Sequence, residues 1–579
     1  MPGTTLGKGT DQMRVRPLVS VGASLGAVVA LLGPLLAGFG SAAEAMSTSQ
    51  DYWAPVGNQV VVRGHGYGHG HGMSQYGAEG AALQGLTYKQ IAAFYYPGTA
   101  WSTFTGTVRV LISADTGTDT VVSPADGLTV TDLGSGRTYP VPVVNGATRW
   151  RLNVDADGKT VVGYLTSAWH RWSPGGNATL AGDGQLAATG PLRLWTPYGS
   201  HVYRGALRAA SPAKGSHDRD TVNVVSMDDY VQGVVPSEMP ASWAAEAVRA
   251  QAVAARTYAT WSRAQNASRY YQICDTASCQ VYGGADAEDP RGNAAVQATR
   301  GAILTYQGKP AFTQFSSSSG GWTSAGSVPY LPAKADPYDD FSSNYLHEWT
   351  KTVDLSVLER SYPRIGTLQK VQVVERDGHG EWRGRVWSLV LVGTDGTQEI
   401  SGYTFQSLYG LRSTWFSIDP TPIIEHWTDL GGAKSVLGPA TSAERAVRSG
   451  TAQSFGNGRI YYSAATGAHE VYGPIYTAYK AMGDASSALG LPVTGIQSRQ
   501  DGFRARFAGG AIWSNPRTGT VPVVGTAVLA AYLHVGGVYG DLGWPTKTNR
   551  ITSYGQRVDF EHGWISYDSG TRKTTVHPS

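Results

Sequence analysis

One carboxylic acid stands apart from the other charged residues in the sequence. Glu238 lies between Pro236 and Pro240 in the stretch Val-Val-Pro-Ser-Glu-Met-Pro, among small and apolar residues. Proline fixes the local backbone, and apolar surroundings disfavour the ionised carboxylate, so the pKa of this acid is expected to rise. A carboxyl group that stays protonated can act as a general acid. Residue chemistry alone also allows an ordinary, exposed loop glutamate at this position.

The residues after Glu238 predict a long helix within a sequence that otherwise favours strands. Residues 243–264 contain no glycine or proline and space their apolar side chains as a helix does, with Ser242 as the predicted N-cap. Residues 107–225 alternate apolar and polar side chains between glycine-containing turns, which is typical of β-strands. We therefore predict an α+β fold that is mostly β, with Glu238 just ahead of a central helix.

The composition supports this fold class. A chain of 579 residues is too long for one hydrophobic core, so two or more domains are expected. Its 74 glycines, 31 tyrosines and only 15% charged residues favour turn-rich β structure over helical bundles. A formal net charge of +3, without any block of Lys and Arg, gives no reason to expect nucleic acid as a partner.

Residues 1–45 have the pattern of a signal peptide. Basic residues precede an uncharged, apolar run over residues 18–40, and small residues follow, which predicts cleavage after Ala43 or Ala45. An uncleaved membrane anchor is the alternative, because the run approaches the length of a bilayer span. Either reading predicts export. After cleavage, no remaining stretch is apolar enough to span a membrane, so we expect a secreted, extracellular protein.

The sequence has two cysteines, Cys274 and Cys279, five positions apart. In an oxidising compartment such a pair forms a disulfide more often than a metal site, because zinc would need further His or Cys ligands around it. We predict a disulfide, with zinc binding as the alternative.

A repeat occupies the last third of the sequence. Two markers recur at the same intervals, namely Leu437, Leu489 and Leu542 in Leu-Gly turns, and Phe455, Phe507 and Phe560 ahead of apolar strands. The pattern resembles the LGFP repeats of exported actinobacterial proteins. The resemblance implies about three repeats over residues 425–579 and attachment to the cell wall. A repeat array without a ligand is the alternative, because Gly, Pro and aromatic residues also serve repeat packing.

The residues around Glu238 resemble those of a known family. Residues 233–240 and 246–258 are similar to the signature of the SpoIID/LytB family, and the resemblance spans residues 107–418. Five shorter stretches agree with it, at residues 203–205, 280–284, 298–301, 315–323 and 411–416. The resemblance implies a lytic transglycosylase that acts on the glycan strands of peptidoglycan. It would cleave the bond between MurNAc and GlcNAc, form 1,6-anhydro-MurNAc ends, and use Glu238 as the catalytic acid. We expect no cofactor.

A single evident acid fits that reaction. Hydrolysis of a glycoside normally uses two carboxyl groups, and the nearest other acids in sequence, Asp228, Asp229 and Glu246, offer no obvious partner. Glu246 is expected to face solvent or to cap the first turn of the helix. Intramolecular attack by the 6-hydroxyl of the sugar needs no second carboxylate.

Ten residues at family positions are predicted to bind substrate or to shape the cleft. Gln251 and Arg256 on the helix are expected to orient the segment of Glu238, and a loop of small residues is expected to approach the glycan closely. The ten are His69, Ser74, Gln75, Gln251, Arg256, Gln280, Tyr282, Ser317, Ser319 and Gly320.

Residues 46–106 contain a Gly/His-rich motif that commonly follows the catalytic region in this family but precedes it here. We expect this segment to pack on the catalytic domain from the other end of the chain. Three histidines among glycines raise the alternative of a metal site. Only His69 matches the family motif, whereas His65 and His71 do not, so no metal is expected.

Two other functions stay open. The LytB branch of the family is described as enhancing a separate amidase, which would make the chain a non-catalytic binding module with an amidase as partner. A purely structural wall protein is the third reading. The intact Glu-Met-Pro element favours the enzyme.

Overall fold

The structure is a computed structural model that describes residues 50–552 and 554–579. The signal peptide predicted for residues 1–45 lies outside these ranges. Within them, no helix combines the length and the apolar character that crossing a membrane requires.

The described residues form ten α-helices, labelled α1 to α10 in chain order. They are Gln75–Leu83 (α1), Tyr88–Tyr95 (α2), Met227–Glu238 (α3), Ala245–Gln265 (α4), Pro290–Ala298 (α5), Ser356–Ser361 (α6), Gly402–Tyr409 (α7), Pro422–Asp429 (α8), Gly473–Ala481 (α9) and Thr526–His534 (α10).

Helix α4 is the long helix that the sequence predicts. It contacts α1, α2, α3 and α5, and most of its residues are buried, including the polar residues Gln251, Arg256 and Thr257. The predicted N-cap, Ser242, is wrong. The helix begins at Ala245, and the N–H of Ala244 donates to the carboxylate of Glu79 in α1 over 2.8 Å. A distant residue therefore satisfies this helix end, which local sequence cannot show.

Two large sheets share one hydrophobic core with helices α1 to α5. The seven-stranded sheet has the order Ile273–Cys274, Thr107–Gly117, Arg219–Ser226, Ala206–Ala210, Gly184–Ala187, Thr129–Asp132 and Arg137–Pro140. The six-stranded sheet has the order Trp169–Trp172, Thr160–Leu165, Arg149–Val154, Asp119–Val122, Leu192–Thr196 and Gly199–Tyr203. All neighbouring strands are antiparallel except the first pair of the larger sheet.

A second core lies beneath two smaller antiparallel sheets and includes residues of α6 and α7. One sheet has the order Gln50–Trp53, Leu368–Arg376, Val386–Gly393 and Thr397–Ser401, and the other has the order Glu348–Asp354, Gln59–His65 and Phe416–Ile418. Both sheets pair a strand from the start of the described chain with strands that come about 300 residues later. The Gly/His-rich motif follows Gln59–His65 directly, so this pairing fixes where the motif begins.

Short strands complete the region between these cores. They are the sheet of Lys309–Pro310, Ala302–Tyr306 and Ala100–Thr103, the parallel pair of Met73–Ser74 with Phe315–Ser316, and the antiparallel pair of Trp322–Thr323 with Lys334–Ala335.

The C-terminal region repeats one helix followed by one four-stranded antiparallel sheet. Helices α8, α9 and α10 each precede a Leu-Gly turn, and the leucine of each turn is buried. The first sheet is Arg445–Val447, Gly450–Phe455, Gly458–Ser463 and Gly467–Tyr472. The second is Gln497–Arg499, Gly502–Phe507, Gly510–Asn515 and Gly519–Val524, and the third is Pro545–Thr552, Gly555–Phe560, Gly563–Asp568 and Thr574–Pro578.

Each repeat turn is closed by an aromatic side chain of the preceding helix. The hydroxyl groups of Tyr479 and Tyr532 donate to the carbonyls of Gly490 and Gly543 over 2.5 and 2.6 Å. In the first repeat the indole N–H of Trp427 makes the corresponding bond, over 3.0 Å. Gly490 and Gly543 both have a φ of +64°, a conformation that favours glycine.

Strands account for 38% of the structure and helices for 23%. The prediction of a mostly β, α+β fold is therefore confirmed.

Candidate active site

Glu238 lies in the wall of an open pocket of about 440 Å³. Among the described residues that form this wall, Glu238 is the single carboxylic acid. The wall consists of Tyr67, Gly68, His69, Gln75, Glu238, Tyr258, Ala277, Ser278, Cys279, Gln314, Phe315, Ser316 and Ser317. A larger cavity, of about 810 Å³, lies between the first two repeats, but no carboxylate lines it. Of these two cavities, the smaller one is therefore the one suited to acid chemistry.

Glu238 is the last residue of α3 and is half-buried, so the alternative of an exposed loop glutamate is wrong. Pro236 lies within the final turn of this helix and Pro240 follows it. Proline within the last turn leaves most of the helix ladder intact, which explains why the Pro-x-x-x-Pro pattern coexists with a helix. Because the helix ends at Glu238, the acid is held at a fixed point in the pocket wall.

The carboxylate of Glu238 accepts one hydrogen bond, from the backbone N–H of Val281, over 2.7 Å. Burial raises the pKa of Glu238, and the bond from Val281 lowers it to a smaller extent. The net direction is upward, which favours the protonated form that a general acid requires.

Arg256 holds the opposite end of α3. Its guanidinium is fully buried and donates to the Asp228 carboxylate over 2.9 Å. It also donates to the carbonyl oxygens of Val296 and Ala302, each over 3.3 Å. Arg256 thus joins α4 to the first turn of α3 and to the end of α5, and it acts on Glu238 only through helix α3.

The segment that follows the cysteine pair alternates between core and pocket. Gln280 and Tyr282 point inward, where Gln280 accepts from the hydroxyl of Tyr230 over 3.1 Å and Tyr282 donates to Asn223 over 2.8 Å. Val281 lies between them, and its N–H reaches Glu238. The two predicted cleft residues therefore hold the segment that carries this N–H in place.

Cys274 and Cys279 form a disulfide, with their Cα atoms 5.5 Å apart. The loop that the disulfide closes contributes Ala277, Ser278 and Cys279 to the pocket wall. The disulfide thus constrains the backbone beside Glu238.

His69 lies in the pocket wall, and its tautomer is set by a local bond. Its Nδ1 accepts from the backbone N–H of His71 over 2.9 Å, which leaves the proton on Nε2. Desolvation, together with the nearby His71 and Arg385, lowers the pKa of His69 to about 4. His69 is nevertheless an exposed residue, which argues for a weaker desolvation. Either extent leaves a neutral ring at neutral pH. Among the described contacts, His69 makes no hydrogen bond to Glu238.

Ser74, Ser319 and Gly320 belong to a buried polar cluster behind the pocket. The Ser74 hydroxyl caps α1 and donates to Asp339 over 2.5 Å, and the N–H of Gly320 donates to Asp339 over 3.0 Å. The Ser319 hydroxyl donates to Asp336 over 2.8 Å. Burial, followed by the charge of Asp339, raises the pKa of Asp336 to about 7. This cluster fixes the loop of small residues against the start of α1.

Three of the ten predicted substrate residues line the pocket, namely His69, Gln75 and Ser317. The structure places the other seven behind the wall, where they are buried: Ser74, Gln251, Arg256, Gln280, Tyr282, Ser319 and Gly320. Gln251 has no hydrogen-bond partner for either polar atom of its side chain among the described residues. The polar groups of the other six form hydrogen bonds within the protein. The prediction that these six residues contact substrate is therefore wrong, and we interpret them as residues that position the wall.

Several wall residues were not predicted. Tyr67 is 48% exposed and lies in the Gly/His-rich motif, where the sequence draws attention to the histidines instead. Tyr258 is the last residue of the helical signature, and Gln314 immediately precedes the strand Phe315–Ser316. Nothing in the sequence distinguishes these pocket-lining side chains from the buried ones beside them.

Comparison with known proteins agrees with this site. Residues 215–306, which include Glu238, Val281 and the disulfide, match the Stage II sporulation protein family, SpoIID. Residues 437–487 and 489–540 match the LGFP repeat. The chain contains a SpoIID domain followed by LGFP repeats.

The similarity of the SpoIID domain extends to curated proteins of bacilli. An amidase enhancer of Bacillus subtilis is 44% identical over 115 residues, which are 19% of this chain and 15% of that protein. A stage II sporulation protein D of Bacillus amyloliquefaciens is 32% identical over 220 residues, which are 34% of this chain and 61% of that protein. The B. subtilis stage II sporulation protein D is 36% identical over 148 residues, covering 22% and 43% of the two chains. In each case the chain spans less than two thirds of the relative.

Proposed function

We propose that this chain is a lytic transglycosylase that cleaves the MurNAc–GlcNAc bond of peptidoglycan, with Glu238 as the general acid. The observation that supports it is the lone carboxyl group in the pocket wall, with its pKa raised by burial. A glycosidase that hydrolyses its substrate normally needs a second carboxyl group, either as a nucleophile or as a base for water. The described wall offers none.

The proposed reaction consumes no water. Glu238 gives its proton to the bridging oxygen, and the bond from that oxygen to the anomeric carbon of MurNAc breaks. The 6-hydroxyl oxygen of the same sugar bonds to the anomeric carbon, and its proton returns to the Glu238 carboxylate. The N–H of Val281 holds that carboxylate in place through both transfers. The exposed ring of Tyr67 is suited to stacking on a sugar face.

We further propose that the protein acts outside the cell, at the cell wall. The pattern of residues 1–45 predicts export, and a disulfide is typical of exported proteins. The LGFP repeats are proposed to attach the protein to the wall.

A second candidate function is the modulation of an amidase without catalysis. It is favoured by the relative that is named an amidase enhancer and is 44% identical over the matched residues. In this case the pocket would bind glycan, and an amidase would be the partner.

The test compares the purified chain with Glu238→Gln on peptidoglycan, both with and without stem peptides. Glu399→Gln is the matched control, because it makes the same chemical change on an exposed strand far from the pocket. We expect soluble glycan products from the wild type and the control, and at least about a hundredfold fewer from Glu238→Gln. Unchanged glycan that both wild type and Glu238→Gln bind tightly would instead support the modulator.

A further inference from the structure

Three side chains outside the pocket bring possible metal ligands together. One ligand atom each from His65, His347 and Glu348 lies within 4.8 Å of the others. We propose that these residues bind one divalent transition-metal ion, with Zn²⁺ as the best fit. The site is separate from the pocket of Glu238, and it was not predicted, because two of its ligands lie far along the chain from the Gly/His-rich motif.

Strand pairing fixes the backbone of His65 and Glu348, and a backbone hydrogen bond fixes that of His347. His65 and Glu348 face each other directly across the antiparallel strands Gln59–His65 and Glu348–Asp354, so their side chains project to the same side. The N–H of Gly66 donates to the carbonyl of His347 over 3.0 Å. The indole N–H of Trp349 donates to the carbonyl of Gly66 over 2.9 Å. The ligand set is therefore built on paired strands.

Each histidine has a carboxylate at one of its two ring nitrogens. Nε2 of His65 lies 2.7 Å from Glu381, and Nδ1 of His347 lies 3.1 Å from Asp339. Such carboxylate–histidine pairs are the usual outer partners of metal-bound imidazoles, because they fix the ring and the tautomer.

The remaining nitrogen of His65 has no partner. His65 is only 6% exposed, and its Nδ1 makes no hydrogen bond to any described residue. A buried ring nitrogen left in this state is costly. With Nε2 bonded to Glu381, Nδ1 is the nitrogen available to a metal, and Nε2 of His347 is available for the same reason.

The donor set selects the kind of ion. Two imidazoles and one carboxylate suit zinc, whereas calcium and magnesium prefer oxygen ligands alone. In a tetrahedral zinc site the ligand atoms lie roughly 3.4 Å apart. The three ligand atoms, which lie within 4.8 Å of one another here, must therefore move slightly closer when the ion binds. Glu348 is exposed and can rotate inward. His65 and Glu348 also line a cavity of about 370 Å³, which leaves room for a fourth ligand such as water.

The test measures Zn²⁺ binding to the untagged, chelator-treated chain by titration calorimetry. We expect one ion per chain for the wild type. His347→Gln should abolish saturable binding, and Glu348→Gln should weaken it at least about tenfold. His71→Gln is the control, because His71 lies in the same Gly/His-rich motif but outside the cluster, and it should bind as the wild type does.

A second readout protects the test against misfolded variants. Zn²⁺ should raise the melting temperature of the wild type and of His71→Gln, and should leave that of Glu348→Gln nearly unchanged. Because Glu348 is exposed, this variant is expected to fold. Absence of saturable binding by the wild type, or equal binding by the wild type and both ligand variants, would overturn the proposal.

Discussion

At Glu238 two influences on the carboxyl group oppose each other. Burial disfavours the charged form and raises the pKa, whereas the N–H of Val281 stabilises the carboxylate and lowers it. Burial is the larger effect. The acid is thus protonated over a wider pH range than an exposed glutamate. The hydrogen bond from Val281 stabilises the carboxylate that forms after proton transfer.

The direction of this shift predicts the pH dependence of activity. A general acid must be protonated, so the rate should fall as pH rises through the pKa of Glu238, by about tenfold per pH unit beyond it. Because that pKa is raised, the fall should begin above the usual range of glutamate. The measurement is kcat/KM on soluble glycan between acid and alkaline pH. A rate that climbs through neutral pH would instead indicate that Glu238 acts as a base.

Sequence could identify the residue but not its surroundings. The apolar neighbours of Glu238 predict the upward pKa shift. They do not show that the residue ends a helix, or that the N–H of Val281 comes from a segment 43 positions later. Likewise, the alternation that sends Gln280 and Tyr282 into the core depends on contacts with Tyr230 and Asn223, which the local sequence does not encode.

Among the elements, α3 and α4 depend on one buried ion pair. Arg256 is fully buried, whereas the Asp228 side chain is 26% exposed. Removal of one partner from such a pair usually costs far more than removal of both, because the remaining group is left uncompensated. This pair also fixes the start of the helix whose last residue is the proposed acid.

A double-mutant cycle tests that role. Asp228→Asn should lower the free energy of unfolding by about 3 to 5 kcal/mol, because it leaves the buried charge of Arg256 uncompensated. Arg256→Met should lower it by less, because the Asp228 carboxylate that remains is partly solvated. The double variant should be more stable than the sum of the two losses predicts. Urea denaturation followed by circular dichroism measures these energies. Strictly additive losses would show that the pair does not couple the two helices.

The repeat elements were predictable because their spacing is regular. Nearly equal intervals between the Leu-Gly turns indicate the repeat from sequence alone, and two units match the LGFP family. The third unit has the same helix, turn and sheet, with Tyr532 bonded to Gly543. The roles of the aromatic residues were harder to predict, since Tyr479, Tyr532 and the repeat phenylalanines are buried in the cores. The same residue types stack on sugars and fill hydrophobic cores, so residue type alone does not distinguish the two roles.

At the scale of the whole molecule, the pocket and the repeats are built from different residues. No wall residue of the pocket comes from residues 425–579. The first repeat touches the preceding domain through bonds such as that from the N–H of Glu444 to the carbonyl of Ala54, over 3.2 Å. Attachment and catalysis should therefore be separable.

A chain that ends at residue 420 tests this separation. It should retain activity on soluble glycan, because its pocket is complete, and should lose most of its retention on insoluble wall material. Cosedimentation with purified walls measures retention, and circular dichroism shows whether the shortened chain is folded. Unchanged cosedimentation by a folded, shortened chain would mean that the repeats do not bind the wall.

The chemical nature of the product ends tests the central claim most directly. Glycan stripped of stem peptides is digested by the purified chain in isotopically labelled water, and the products are analysed by mass spectrometry. The account predicts 1,6-anhydro-MurNAc ends that contain no label and are absent from the Glu238→Gln digest. Reducing ends that carry the label would show hydrolysis, and would contradict a mechanism with a single carboxyl group.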